Sequence, residues 1–336
     1  MKAITSLTLL LILTQAALAA HPLAAPRVTS LTNRSVKFQR AKKDYAKLTR
    51  GLITAVIVNN KAIRDQPYSG HRAGYNGVAS LVHRNQPSSP FVGSYAGLNY
   101  EHIHDGTLAV NREKFEPRRN PMELRIIDKH TVELYQAPTK NWKLESCGRY
   151  RLLADGTIEY TFECIPRTKD FKQNYIGLFW ASYIHAPKDK AINFRGGEPG
   201  KSVKWLRTLS PKHGVRATHP PQGQLPTLKI HPKFPLTLVN HPSGFRYVSP
   251  WYFGKRKGMA LAYLFRSRDQ IWFAQSPTGG GSKNPAWDFQ WFIPNYKVDE
   301  AYGFVMRMVY VPFKDRSTLE KAVQPHLKAL NASTKR

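Results

Sequence analysis

Apolar positions along this chain recur mostly in short alternating runs. Ile158, Tyr160, Phe162 and Cys164 fall on every second residue, with Glu159, Thr161 and Glu163 between them. A period of two places one set on each face of a strand. Further strands are predicted at 51–58, 78–83, 124–135 with a break at Asp128-Lys129, 175–185, 245–253, 259–265, 271–275, 287–293 and 302–313. Residues 91–104 are mixed aromatic and small and end in the turn signal Asp105-Gly106. Pro, Gly, Lys and His crowd 195–235, which reads as long connecting loops. Near the end the period changes. Ser317 and Glu320 form an S-x-x-E capping box ahead of a helical stretch at 319–330, interrupted by Pro325. No repeat of fixed length is present. Many turn-separated strands and one terminal helix predict an all-β chain, a large antiparallel β-sandwich over 51–314. A basic, solvated lead-in with one short helix is expected over 20–50, and a helix and tail over 315–336.

The strands at 143–153 and 157–165 flank Ala154-Asp155-Gly156-Thr157. Asp-Gly is a strong signal for a two-residue hairpin turn. If Ala154 faces Thr157, opposed residues sum to 154 + 157 = 311, and Cys147 and Cys164 also sum to 311. The sequence therefore predicts that the two cysteines lie opposite one another and form a disulfide, in an oxidising compartment.

That compartment is predicted from the first residues. Lys2, the apolar run 7–13 and the small-residue site Ala17-Leu18-Ala19 make a secretory signal peptide, 1–19, cleaved after Ala19. The chain is expected to be secreted or periplasmic. No later run reaches the roughly 18 apolar residues of a membrane span, so no membrane insertion is expected. Composition adds a sign. The chain has 336 residues, 51 Lys+Arg and 22 Asp+Glu, for a net charge of +29. A positive field of this size attracts polyanions. For an exported protein these are acidic polysaccharides or anionic envelope surfaces. No nucleic-acid motif is present, and export argues against that partner. The glycine-rich stretch 276–282 lacks the phosphate-loop pattern, and no G-x-S-x-G occurs. Two cysteines cannot build a four-thiolate zinc site. No cofactor or metal is predicted, and the sequence leaves the oligomeric state open.

Four stretches carry a resemblance. They are G-Y-N-G-V-A-S-L (74–81), Y-A-G-L-N-Y-E-H-I-H-D-G (95–106), Y-I-G-L-F-W-A-S-Y-I-H-A-P (175–187) and N-P-A-W-D-F-Q-W-F-I-P (284–294). They resemble exported bacterial proteins, and the layout is similar to the galactose-mutarotase-like supersandwich. Aldose epimerases, sandwich domains of polysaccharide lyases and some glycosidase domains share that fold. The resemblance spans about two thirds of the chain and implies a sandwich with carbohydrate chemistry. It carries no catalytic residue over.

Three segments are candidate sites. In Glu101-His102-Ile103-His104-Asp105, strand alternation puts His102 and His104 on one face and Glu101 on the other. The pair could act on a sugar as acid or base, or contribute to a metal site that would need further ligands. Trp180, Tyr183 and His185 follow an apolar run, with Tyr183 and His185 on one face. A Tyr/His pair suits acid–base work at a uronate, whose carboxylate Arg149 or Arg307 could neutralise. In Trp287-Asp288-Phe289-Gln290-Trp291 the rings take one face while Asp288 and Gln290 take the other, where they could hold sugar hydroxyls. The expectation is that His102/His104, Tyr183/His185 and Asp288/Gln290 share one concave sheet face. Two functions stay open: a lyase or epimerase acting on an acidic polysaccharide, and a non-catalytic acidic-glycan binding protein.

Overall fold

The computed structural model describes residues 21–108, 114–234 and 241–332. The predicted signal peptide lies outside them.

Among the described residues, eighteen strands, one single-turn helix and a C-terminal helix make up the fold. In chain order the strands begin with β1 (Gln39–Arg40), β2 (Tyr45–Arg50), β3 (Ile53–Val58), β4 (Gly77–His83) and β5 (Asn99–His104). A short helix, α1 (Glu116–Arg119), precedes β6 (Glu123–Asp128), β7 (Thr131–Gln136), β8 (Leu144–Leu152), β9 (Ile158–Pro166) and β10 (Tyr175–Ala181). Then come β11 (Ile192–Gly197), β12 (Lys204–Thr208), β13 (Thr218–His219), β14 (Arg246–Arg256) and β15 (Met259–Phe265). The last are β16 (Trp272–Ser276), β17 (Ala286–Pro294), β18 (Tyr302–Pro312) and helix α2 (Arg316–Ala332).

All strand pairs inside the sheets are antiparallel. One sheet has ten strands in the order β1-β6-β7-β8-β9-β18-β15-β14-β11-β12. A second has five, β13-β16-β17-β10-β5, and a third has three, β2-β3-β4. The ten- and five-stranded sheets pack face to face as an all-β sandwich. Alternation explains the core between them. Tyr160, Phe162 and Cys164 of β9, Phe304 and Met306 of β18, Trp180 of β10 and Phe289 and Trp291 of β17 all belong to it. The Trp180 ring stacks on Phe289 at 5.2 Å and donates its indole N–H to the Tyr160 hydroxyl at 3.1 Å. Each such aromatic pair adds about 0.5–1.5 kcal/mol beyond the area it buries.

Helix α2 lies on the outer face of the ten-stranded sheet. Leu319, Val323, Leu327 and Leu330 form one helical stripe against Trp251, Phe253, Leu264 and Val309. Its N-cap is Asp315, whose Oδ1 accepts the Thr318 N–H at 2.7 Å. The helix therefore starts two residues earlier than the Ser317/Glu320 box implied. Residues 20–50, read as a solvated lead-in, hold β1 and β2. Ahead of them, Val28, Thr29 and Thr32 give hydrogen bonds to the Glu163 carboxylate, and Ser30 bonds Glu133 through both its backbone N–H and its hydroxyl. Basic composition hid this segment because its anchors are backbone amides and hydroxyls.

The predicted disulfide does not form. Both cysteines are free and buried. Cys147 pairs with Glu163, and Cys164 with Ser146, so opposed residues sum to 310. The turn is the reason. Leu153 donates to the Thr157 carbonyl at 2.8 Å, and Gly156 donates back to Leu153 at 3.0 Å. Gly156 has φ +87°, while Asp155 keeps a negative φ. The loop thus contains three residues, 154–156, and the two-residue turn that needs positive φ at both centres is excluded. A one-residue slip moves one cysteine to the other face. Cys164 enters the inter-sheet core, and Cys147 faces outward, where burial and Glu133 push its thiol pKa up.

Candidate functional site

The core takes one face of the five-stranded sheet. Its other face carries polar groups under a cover of loops. In β5, β10 and β17, Phe179 lies between His102 on one side and Gln290 on the other. Gly177 lies between His104 and Phe292 in the next row. His102 and Gln290 are thus two strand spacings apart, roughly 10 Å at the backbone. Tyr183 follows β10 and bridges to Ala286, and Asp288 accepts the Ser182 N–H at 3.0 Å.

A β-bulge changes what this face can do. Trp180 pairs with Tyr100 and Phe179 with His102, which leaves Glu101 as the extra residue. Regular alternation would have turned Glu101 away from His102. The bulge aims it at the same surface. One Glu101 oxygen accepts a short hydrogen bond from the Tyr183 hydroxyl. The other lies 3.3 Å from His102 Nε2 and 3.6 Å from an Arg118 guanidinium nitrogen. Arg118 comes from α1 and is held by its Nε bond to the Gly74 carbonyl at 2.7 Å. Its guanidinium lies over the Tyr75 ring, 3.9 Å from the centroid.

Three tyrosines continue this cluster outward. Tyr75 stacks on Tyr95 at 4.3 Å, and Tyr183 meets Tyr95 at 5.0 Å and Tyr75 at 5.5 Å. Phe115 covers His102 at 4.5 Å. Phe115 and Arg118 also form part of the wall of a cleft of about 620 Å³, lined further by Lys61, Gly74 and Arg119.

Burial sets the protonation states. It raises the pKa of Glu101, with Arg118, Tyr183 and Lys114 pulling the other way. Asp288 is pushed well above the usual carboxyl range by burial, and Glu101 adds to this. His102 is pushed well down by burial and then by Lys114, and His104 falls to about 3 for the same two reasons. Both imidazoles are therefore neutral at pH 7. Both ring nitrogens of His102 and of His104, and the Gln290 amide oxygen, are buried without a hydrogen bond. Gln290 spends its amide N–H on the Thr218 hydroxyl at 3.2 Å.

The remaining sequence candidates lie elsewhere. His185 is exposed, because the chain leaves the sheet after Ile184. Its carbonyl accepts Arg256 Nε at 2.6 Å and its ring meets the same guanidinium. Trp180 is an odd number of steps from Tyr183 and sits in the inter-sheet core. Arg149 and Arg307 are on the outer face of the ten-stranded sheet, paired with Glu133 and Glu159. Sequence reading passed over Arg118, Lys114, Tyr75 and Tyr95. The two tyrosines stand in the quoted stretches 74–81 and 95–106, whereas Lys114 and Arg118 come from an aperiodic segment. Among the described residues no group of three or more His, Cys, Asp or Glu is placed to hold a metal ion. Among them, too, no helix is long and apolar enough to cross a membrane.

No family model matches the chain, and no curated protein is significantly similar to it in sequence. Solved structures do overlay on the sandwich. A proposed aldose 1-epimerase of Escherichia coli K12 is 9% identical at a TM-score of 0.44, over 80% of this chain and 99% of that one. An α-N-acetylgalactosaminidase of Bifidobacterium bifidum is 9% identical at 0.48, over 84% of this chain but only 38% of its own. A heparan sulfate lyase of Pedobacter heparinus is 9% identical at 0.37, over 85% of this chain and 39% of its own. The overlap thus spans under two fifths of the two larger proteins. At these identities and TM-scores none of the likenesses bears on activity.

Proposed function

We propose that this chain is an exported protein that binds an acidic polysaccharide and acts on it by acid–base chemistry at Glu101 and His102. The observation that carries the reading is the bulge that brings Glu101 against Tyr183, His102 and Arg118. A carboxyl whose pKa is raised, beside an imidazole that burial keeps neutral, supplies a proton donor and a proton acceptor at one point on the acidic side of neutrality. Their closeness suits atoms one or two bonds apart on one face of a sugar ring. In β-elimination from a uronate, His102 takes the C5 proton. That electron pair forms the C4–C5 double bond, the C4–O bond breaks, and Glu101 gives its proton to the leaving glycosidic oxygen. Tyr183 positions Glu101, and Arg118 pairs with the sugar carboxylate. In an epimerase the same two groups would serve the anomeric hydroxyl and the ring oxygen. Tyr75 and Tyr95 offer faces for sugar rings, and Lys61, Arg118 and Arg119 give the cleft the sign an acidic glycan needs. Export rests on residues 1–19.

A second reading follows from burial. The Glu101 and His102 side chains are only 9% and 5% exposed. A protein that holds the glycan along the cleft without reacting would have the same surface. A panel of acidic polysaccharides separates the two. New ultraviolet-absorbing unsaturated ends indicate a lyase, anomer exchange by NMR an epimerase, and retention without either a binding protein. Failure to retain any acidic glycan overturns both readings.

A further inference from the structure

Arg149 and Arg307 lie far from Glu101 in the fold but close to each other. On the outer face of the ten-stranded sheet, cross-strand pairing makes two rows, Arg149–Thr161–Val305 and Arg151–Glu159–Arg307. A groove of about 730 Å³ covers this patch, and Arg266 and Arg268 line it as well. The N-terminal segment at 24–28 and the end of α2 at 329–330 supply its remaining walls.

Three carboxylates are committed to three of these arginines. Glu133 is 2.7 Å from Arg149, Glu159 is 2.7 Å from Arg307 and Asp269 is 2.8 Å from Arg266. Five arginines against three carboxylates leave an excess of 5 − 3 = +2. Arg151 is exposed and forms no ion pair among the described residues. Arg268 shares Asp269 with Arg266 at a longer 3.4 Å and gives an Nη2 hydrogen bond to the Ala24 carbonyl at 3.0 Å, while its buried Nε makes none. Like charges converging in a half-enclosed groove cost stability unless an anion offsets them.

We propose that this groove is a second glycan site, which takes a strand bearing sulfate or uronate groups on the side of the sandwich opposite Glu101. It rests on the acidic-polysaccharide reading above. Guanidinium forks match the oxygens of sulfate and carboxylate. The volume is that of a small-ligand site. The walls between the arginines are Ala24, Pro26, Val28 and Leu330, with no aromatic ring among the lining residues. This groove therefore reads charge, whereas the tyrosine-lined cleft also reads the sugar ring.

Calorimetric titration of the full chain with a sulfated uronate hexasaccharide tests this. Two binding events are expected. The double variant Arg151→Gln/Arg268→Gln should weaken one of them at least about tenfold, with the fold retained by circular dichroism. Arg118→Gln should weaken only the other. A single event lost in the double variant and indifferent to Arg118 would retain the groove and overturn the Glu101 reading. A single event that survives the double variant overturns the groove. Hydrogen exchange of the wild-type chain needs no variant. Protection of 149–151 and 305–307 by the hexasaccharide is expected, and its absence overturns the proposal. Binding to phosphatidylglycerol vesicles through Arg151 and Arg268, without hexasaccharide binding, overturns a glycan as the occupant.

Discussion

The His104 ring occupies the space that a side chain on Gly177 would need. A Cβ there would lie 2.4 Å from His104 Cε1. The two residues are cross-strand partners in β5 and β10. Gly177→Ala must displace His104 and disturb the row that also holds Phe292. A loss of roughly 1–3 kcal/mol is expected, as for overpacking elsewhere, measured by denaturant unfolding. Unchanged stability would mean that His104 is not held over Gly177.

Acid should unfold this protein through its buried histidines. His104 and His219 both titrate at about 3 in the folded chain, against 6.5 ordinarily. The unfolded chain therefore binds more protons between those values, and stability rises with pH across that window. Cooling of the melting temperature should begin as pH falls through 6.5 and continue toward 3. Each histidine costs on the order of 5 kcal/mol of stability at the acid end. A His219→Asn variant, if it folds, should show a flatter profile. An identical profile would contradict the assignment.

Cys147 and Cys164 should stay thiols even in an oxidising buffer. They face opposite sides of one sheet, so no rotamer joins them. Intact-mass measurement after alkylation in denaturant should show two modified cysteines, and a species with none would contradict the register.

The outcome at the cysteines shows what the sequence could carry. Alternation marked Ile158, Tyr160, Phe162 and Cys164 as one face, and that face does enter the core. The pairing register depended on whether Asp155 takes positive φ, which the letters Asp-Gly do not decide. The face shared by His102, His104, Asp288 and Gln290 was legible for the same reason of period. Glu101 was not, because a bulge adds one residue without a distinctive local pattern. Arg118, on the single-turn helix α1, and Lys114, just ahead of it, reach the site from a stretch without apolar periodicity, and only tertiary packing brings them there. His185 was misplaced because alternation was carried one step past the end of pairing at Ile184.

The pH dependence of turnover should follow the same burial. His102 must be neutral and Glu101 protonated for the elimination. The first pKa is lowered and the second raised, so the rate should peak on the acidic side of neutrality. Lys114→Met should move the acidic limb upward, because Lys114 helps to hold His102 down. NMR titration of the His102 ring follows this shift directly. No movement of that resonance would separate Lys114 from the site.

Glu101→Gln tests the central claim most directly. The amide keeps the size of the side chain and removes its proton chemistry. With an acidic glycan that the wild-type chain turns over, the variant should retain binding within about threefold and lose at least about a hundredfold in rate, with the melting temperature unchanged within a few degrees. Wild-type turnover by Glu101→Gln would contradict the account.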